Sequence, residues 1–194
     1  MTIDVRRSRP DDHPAILSLM DRARGEGLND EERARRGFVQ GSMSGELLDR
    51  FARDPGIFVA DEAGELAGFA MTSEPGLLPP EHPASAAVRA VTATTEGHDP
   101  GRLFLYGPVA VDERFQGRGV LTKLLTGLSH ALESTYDLGV AFVETTNERS
   151  LTVHRHYGMT ETPPFDTVGR TYVAFSFPPA AFTHRHPDGP AAAR

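Results

Sequence analysis

The sequence predicts one α/β domain whose central sheet is mixed and carries helices on both faces. Three observations support this fold class. Short β-prone runs alternate with amphipathic helical stretches along the chain. Some connections have the length of a hairpin, and others are long enough for a crossover between parallel strands. The 194 residues, of which 39% are hydrophobic and 24% charged, suit a single substantial core.

The first part of the chain predicts a strand followed by two helices. Ile3 and Val5 alternate with polar residues, as in a half-buried strand. Asp11 can cap one helix, and Ser44 can cap a second one. Residues 24–45, between these helices, are rich in charge and glycine, and we expect them to border a cleft.

The middle of the chain predicts a hairpin, a long insertion and a third β segment. Residues 57–60 and 66–72 are β-prone and are separated by a turn-rich spacer. Residues 75–101 are irregular, with room for one short helix, and insertions of this length often serve as lids. Residues 103–111 form a β segment that Pro108 interrupts, so we expect a broken ladder there.

The last part of the chain predicts a βαβ unit, a helix and a final strand. Apolar residues recur at helical spacing over 120–132, and residues 139–143 form a continuous apolar run. Asn147 can cap a short helix that Gly158 ends, and residues 171–177 form the last strand.

The domain is therefore expected to span residues 1–177. Residues 178–194 contain four prolines and a run of three alanines without periodicity, which predicts a flexible C-terminal tail.

Composition argues against several classes of function. A net charge of -7 gives no global field that would attract nucleic acid or an anionic membrane. The absence of cysteine excludes disulfides, thiolate zinc sites and a cysteine nucleophile. The histidine pairs 154/156 and 184/186 do not suggest a metal site, because residues two apart on a helix do not share a face. Residues 1–10 lack the apolar core of a secretory signal, and no stretch has the length of a membrane span, so we expect a cytoplasmic protein.

One motif carries chemistry: Gln116-Gly117-Arg118-Gly119-Val120-Leu121 lies between the end of a strand and the start of an amphipathic helix. The N-terminus of a helix has unpaired N–H groups and partial positive charge, and glycines allow a phosphate to approach them. Position 122 is not a glycine, which excludes the dinucleotide fingerprint, and no Gly-Lys-Ser/Thr follows, which excludes a P-loop. The motif therefore predicts a site for the pyrophosphate of a different cofactor.

With the preceding Val109-Ala110-Val111, this motif resembles the signature of the GNAT superfamily of acyl-CoA-dependent N-acetyltransferases, Arg/Gln-x-x-Gly-x-Gly/Ala after a valine-rich strand. The order of elements from Ile3 to about Phe177 also resembles that family. The resemblance implies a mostly antiparallel central sheet in which two central strands splay apart.

The resemblance also implies that acetyl-CoA is the co-substrate, and the positions of the histidine pairs lead us to expect no metal. Free backbone groups of the strand would pair with the pantetheine amides, the loop amides would hold the pyrophosphate, and Arg118 would add charge. Asn147 would bond the pantetheine arm. The implied cofactor-binding residues are Val109, Ala110, Val111, Gln116, Gly117, Arg118, Gly119, Val120, Leu121, Thr122 and Asn147.

The catalytic residues are less directly implied. Counted from Asn147, the family's tyrosine general acid is replaced by His154, which could protonate the departing thiolate because histidine titrates near neutral pH. Tyr157 is the alternative donor. Glu144, at the end of the strand before Asn147, and Glu74 are the candidates for the base.

The resemblance thus implies an N-acyltransferase that moves an acetyl group from acetyl-CoA to a primary amine by direct attack, with a homodimer as a family-level expectation. One alternative is a catalytically weak acyl-CoA-binding sensor or regulatory module, suggested by the missing tyrosine at position 154. Another is a structural or partner-binding domain that binds no coenzyme A. The amine acceptor would bind among residues 24–53, 75–101 and 163–170. The arginines of residues 22–36, interspersed with acids, favour a solvated helix surface over an acceptor contact.

Overall fold

The structure, a computed structural model, describes residues 2–24, 27 and 29–183. The strands are β1 (Asp4–Arg7), β2 (Gly56–Glu62), β3 (Glu65–Ser73), β4 (Leu103–Val111), β5 (Leu138–Glu144), β6 (Thr160–Glu161), β7 (Phe165–Thr167) and β8 (Arg170–Phe177). The helices are α1 (His13–Ala23), α2 (Asp30–Arg36), α3 (Gly45–Phe51), α4 (Pro83–Thr94), α5 (Val120–Leu132), α6 (Glu148–His156) and α7 (Ala180–Thr183).

The strands form one sheet with the order β1-β2-β3-β4-β5-β8-β6, and β7 pairs with β8 off this path. Neighbouring strands are antiparallel except β4 and β5. These two strands pair only between Leu103–Leu105 and Leu138–Val140, although β4 runs on to Val111 and β5 to Glu144. The centre of the sheet therefore opens, which confirms the predicted mixed, mostly antiparallel sheet with a splayed strand pair.

The ladder between β3 and β4 is broken beside Pro108. Val109 faces Ala70, whereas Tyr106 faces Thr72, so β4 takes one more residue than β3 over the same distance. Proline has no N–H to donate to a ladder, and the extra residue makes a bulge. The predicted break is confirmed, and it falls where β4 parts from β5.

Helices cover both faces of the sheet. The buried leucines of α5 pack on one face against residues such as Phe58 and Phe104. On the other face, α1 and α3 enclose a second cluster around Phe69, and α4 packs over Leu105 and Val140. The apolar side chains divide between the two faces because successive side chains of a strand point to opposite sides of the sheet.

Two helices in the N-terminal region begin at capping side chains. Ser44 accepts a 3.1 Å hydrogen bond from the backbone N–H of Leu47, as its position in the sequence predicted. Helix α2 was not predicted as a separate element, because it has no apolar stripe. A signal was nevertheless present: Asn29 and Glu32 form a reciprocal capping box, with each side chain bonding the other residue's backbone N–H.

The long insertion does not form a lid. Its helix α4 lies on the sheet, with Ala84, Ala87 and Val91 fully buried against β4, β5 and β8. Small side chains let this helix approach the sheet closely, so the helix belongs to the core.

The C-terminal boundary lies further along the chain than residue 177. Helix α7 follows β8, and Phe182 is buried with its ring 5.2 Å from that of Phe177. The domain therefore extends at least to Thr183. Residues 184–194 of the predicted tail lie outside the described residues.

Candidate active site

A cleft of about 1320 Å³ opens where β4 and β5 diverge, and we call it the main cleft. Its walls are the second half of β4, the loop that leads to α5, the first turns of α5, helix α6 and residues 35–39. The charged and glycine-rich segment that was expected to border a cleft therefore does so. A cleft of this volume can hold a ligand larger than an ordinary drug-sized molecule.

The glycine motif lies at one end of the main cleft. Gly117 and Gly119 have φ angles of 74° and 72°, a left-handed conformation that favours glycine. A Cβ added at Gly117 would meet no protein atom within 4 Å, so the space beside it is open. The motif thus keeps backbone exposed at this point.

The N-terminus of α5 presents donors to the same space. The first backbone bond of this helix runs from the N–H of Lys123 to the carbonyl of Gly119, at 3.0 Å. The N–H groups of the three preceding residues have no acceptor within the helix, and no described side chain caps it. An anion bound here would meet both free donors and the positive end of the helix dipole.

The charge of the main cleft is opposite to that of the chain. Five arginines but only two carboxylates line it among the described residues, although the net charge is -7 overall. The lining arginines are Arg22, Arg35, Arg36, Arg114 and Arg149. The sequence pattern favoured a solvated helix surface for the first three, but the fold collects them around the cleft.

The side chain of Arg118 does not join this group. It pairs with Glu62 and lies 5.1 Å from the centre of the Phe115 ring, and Arg118 is not among the residues that line the main cleft. Its backbone continues the glycine loop, but its charge is turned toward the β2 side. This differs from the expected contribution of charge to the pyrophosphate site.

Asp112 anchors the loop and was not singled out from the sequence. Its carboxylate accepts hydrogen bonds from the backbone N–H of Arg114 and from the guanidinium of Arg22, both at 3.0 Å. The Arg114 side chain, its strongest partner, holds the pKa of this buried carboxyl below its usual range. An aspartate at the cap before a turn could have indicated this role.

Residues 109–111 form the wall opposite α6. Val109, Ala110 and Val111 all line the main cleft. Along these residues, the edge of β4 that faces β3 is paired with that strand. The other edge pairs with no described strand, because β5 has already diverged. Backbone groups on that edge can pair with an extended ligand, as an edge strand can.

Asn147 lies at the start of α6 and lines the main cleft, but its side chain is already engaged. It is 5% exposed. Its Oδ1 accepts from the N–H of Ser150 at 3.2 Å, and its Nδ2 donates to the carbonyl of Phe38 at 2.8 Å. Asn147 therefore caps α6 and holds the 35–39 segment against the cleft.

His154 also lines the main cleft, as a partly buried ring. It stacks on Phe175 with 4.9 Å between ring centres, and its Nδ1 donates to the carbonyl of Ser150 at 2.7 Å. Because a carbonyl only accepts, Nδ1 carries the proton of the neutral ring and Nε2 does not. Burial lowers the pKa of His154, so the ring is neutral near pH 7. This differs from the expectation of a histidine that titrates near neutral pH.

Tyr157 and Glu144 are likewise bonded within the protein. The Tyr157 hydroxyl lies 2.8 Å from the Thr122 hydroxyl, which links the end of α6 to the first turn of α5. Thr122 itself does not line the main cleft. Glu144, also outside that lining, accepts hydrogen bonds from Gln40 and from the Arg170 guanidinium, the latter at 2.6 Å. The structure therefore brings His154 and Tyr157 into the cleft and leaves Glu144 at the far end of β5.

Tyr106 was not among the catalytic candidates predicted from the sequence. It lines the main cleft and is 6% exposed. The bulge at Pro108 shifts the alternation of side chains between the two faces of β4. The face that Tyr106 occupies could therefore not be inferred by counting along the strand across the proline.

Within the described ranges, no three His, Asp or Glu side chains are grouped closely enough to hold a metal ion. The helices described there include none that is both long and apolar enough to cross a membrane.

Comparison with known proteins gives a consistent result. The model of the acetyltransferase (GNAT) family matches residues 16–159. Among solved structures, an N-acetyltransferase from Staphylococcus aureus Mu50 is 18% identical, with a TM-score of 0.63 over 92% of this chain and 99% of that one. The protein yncA from Salmonella typhimurium, solved with acetyl-CoA, is 18% identical with a TM-score of 0.62 over the whole of both chains.

The ribosomal-protein-S18-alanine N-acetyltransferase from Escherichia coli is 16% identical, with a TM-score of 0.55 over 97% of this chain and 99% of that one. At these identities the likeness shows a common fold. No protein of curated function matches the sequence significantly.

Proposed function

The chain belongs to the acetyltransferase (GNAT) family, and on this premise we propose that it transfers an acetyl group from acetyl-CoA to a primary amine by direct attack. One observation carries the proposal: an unpaired edge of β4 and an uncapped helix N-terminus face the same cleft, whose lining is rich in arginine. Coenzyme A has amides that suit the strand edge and phosphates that suit the helix and the arginines.

The proposed cofactor position follows from these two features. The pyrophosphate lies on the backbone amides of residues 117–122, after Gln116, where Gly117 leaves open space. The pantetheine arm lies along Val109–Val111 and pairs with the free edge of β4. Asn147 acts here mainly by holding the opposite wall, since both ends of its amide are bonded.

The reaction needs no covalent enzyme intermediate. The lone pair of a neutral amine attacks the thioester carbonyl, the C–N bond forms, and the C–S bond breaks with its electron pair going to sulfur. The amine loses one proton and the thiolate gains one. Binding both substrates in one cleft accounts for much of the acceleration, because the attack becomes effectively intramolecular.

Glu144, His154 and Tyr157 are proposed to take roles that fit their contacts. Glu144 receives the amine's proton through water, since its carboxylate is bonded to Arg170 and Gln40. Neutral His154 offers Nε2 as an acceptor in the cleft. Tyr157 positions the start of α5 through Thr122. The chain carries no metal in this scheme.

A second candidate is an acyl-CoA-binding sensor with little turnover. The observation that favours it is the set of contacts at His154, Tyr157 and Glu144, each of which is already bonded to a protein group. This protein would bind acetyl-CoA as tightly as an enzyme does but release no thiol when an amine is added.

Thiol release from acetyl-CoA across a panel of primary amines separates the two candidates. The panel includes small amines, amino acids, aminoglycosides and peptides with a free N-terminus. The proposed enzyme gives amine-dependent thiol release, and Glu144→Gln slows it while acetyl-CoA affinity is kept. Binding of acetyl-CoA without release for any amine supports the sensor, and absence of binding contradicts both.

A further inference from the structure

Tyr106 stands at the apex of the opening between β4 and β5. It follows Leu105, the last residue of β4 that pairs with β5, and it precedes the bulge at Pro108. Its ring is held edge-on by two neighbours, with 5.4 Å to the ring centre of Phe177 and 6.2 Å to that of His154. The ring is therefore fixed at the inner end of the main cleft.

The hydroxyl of this buried tyrosine has no hydrogen-bond partner among the described residues. Buried polar groups nearly always find one. Some polar side-chain atoms of the described residues are shut off from solvent and lack a hydrogen-bond partner; they belong to Ser73, His98, Thr126 and Ser129. The Tyr106 oxygen is not among them. Since Tyr106 also lines the main cleft, its hydroxyl meets the cleft and not a closed void.

The direction of the proposed cofactor brings its acyl end to this hydroxyl. The pyrophosphate site at Gly117–Gly119 lies after the C-terminal end of β4, and the pantetheine arm runs back along Val111 to Val109. The thioester then falls beyond Val109, at the position of the bulge and of Tyr106. This step rests on the proposed function, because it uses the placement of acetyl-CoA.

We infer that Tyr106 is a catalytic residue whose hydroxyl donates a hydrogen bond to the thioester sulfur as the C–S bond breaks. The phenol keeps its proton throughout. Negative charge develops on sulfur when it takes the electron pair of that bond, and the thiolate receives its proton from water as it leaves. A fixed donor aimed at developing charge stabilises the transition state more than the ground state.

The surroundings of Tyr106 suit a donor and not a base. Burial raises the pKa of this phenol, and the nearby Tyr157 adds to the rise, so the hydroxyl stays protonated at neutral pH. Of the two ring nitrogens of the neighbouring His154, only Nδ1 carries a proton, and it donates a hydrogen bond to the carbonyl of Ser150. Tyr106 therefore supplies the donor that the residue at position 154 does not supply.

The test uses Tyr106→Phe, which keeps the ring and its contacts and removes only the oxygen. Tyr136→Phe is the matched control, because Tyr136 is equally buried, at 6% exposed, but does not line the main cleft. The first measurement is the pKa of the thiol of bound coenzyme A, which is monitored through the ultraviolet absorbance of the thiolate. It needs no acceptor. The second is kcat with any amine that the panel identifies.

We expect the thiol pKa of bound coenzyme A to rise by about one pH unit in Tyr106→Phe, because a donor to the thiolate is lost. We expect kcat to fall by on the order of 100-fold. Acetyl-CoA affinity should not change, and Tm should stay the same or rise. Tyr136→Phe changes none of these. If coenzyme A binds Tyr106→Phe with an unaltered thiol pKa, the inference is overturned and the proposed function stands. A native chain that binds no coenzyme A overturns both.

Discussion

The side-chain amide of Asn147 donates a 2.8 Å hydrogen bond to the carbonyl oxygen of Phe38, across 109 residues of sequence. Its other end accepts from the N–H of Ser150 and caps α6. One buried side chain thus joins two walls of the main cleft. The walls are α6 and the segment that follows α2, so the width of the cleft depends on this contact.

Asn147→Ala and Asn147→Asp separate the two bonds. The alanine variant loses the cap and the donor, and we expect the free energy of unfolding to fall by roughly 1–3 kcal/mol. The aspartate variant keeps an oxygen for Ser150 but cannot donate to Phe38. Hydrogen exchange should then show faster exchange at residues 37–40 in both variants and faster exchange at the start of α6 in the alanine variant alone. Unchanged exchange at residues 37–40 in both would show that other contacts hold that wall.

Gly117→Ala tests the phosphate site. The added methyl meets no protein atom but fills the open space beside the loop, at a φ of 74° that costs an alanine roughly 1–2 kcal/mol. Gly97→Ala is the control, because Gly97 has a φ of 80° and equally open surroundings outside the main cleft. We expect similar losses of Tm in the two variants and weaker acetyl-CoA binding, measured by calorimetry, in Gly117→Ala alone. Equal affinity in both variants would place the pyrophosphate elsewhere.

Arg36→Ala and Arg118→Ala test which charges contact the cofactor. Arg36 lines the main cleft, whereas Arg118 is turned away and paired with Glu62. Since both are exposed, the expected effects are modest: about two- to fivefold weaker acetyl-CoA binding in Arg36→Ala, lessened by added salt. We expect the acetyl-CoA affinity of Arg118→Ala to stay within about twofold of that of the native chain. A larger loss in Arg118→Ala would mean that its side chain turns into the cleft when the cofactor binds.

His154 makes stability depend on pH. Burial lowers its pKa below the ordinary histidine value of about 6.5, so the unfolded chain takes up a proton that the folded ring does not. The free energy of unfolding therefore falls as the pH drops below about 6.5. His154→Phe retains an aromatic ring against Phe175 and removes the group that titrates.

Between pH 7 and pH 5.5, we expect Tm to fall more steeply in the native chain than in His154→Phe. Some dependence should remain in the variant, because burial also lowers the pKa of His82. Parallel curves for the two proteins would indicate that the folded ring of His154 accepts a proton as readily as the unfolded one.

The sheet was largely predictable, because strands, turns and caps leave local signals. The apolar run before Glu144 is continuous, the apolar residues from Val120 to Leu132 recur at helical spacing, and Pro108 marks the break in β4. The short strands β6 and β7 have two and three residues, too few for a period to be visible. Helix α2 lacked an apolar stripe, and only its capping box could have revealed it.

The sequence indicates the proposed cofactor site more directly than the proposed catalytic groups. Residues 116–121 are proposed to bind the cofactor mainly through their backbone, whose conformation is indicated directly by the glycine spacing. The roles of His154, Tyr157 and Glu144 depend on partners that are distant in sequence or on burial, and these fix tautomer, hydroxyl direction and charge. Tyr106 escaped notice because the bulge at Pro108 shifts the alternation of β4, and a shift of one residue reverses the face.

Binding of acetyl-CoA in the main cleft is tested by calorimetric titration of the native chain, with Gly97→Ala and Gly117→Ala titrated alongside. We expect one site per chain with a Kd on the order of micromolar, and we expect this affinity to be retained in Gly97→Ala and weakened in Gly117→Ala. A native chain that shows no binding at millimolar acetyl-CoA would contradict the central claim that the main cleft holds this cofactor.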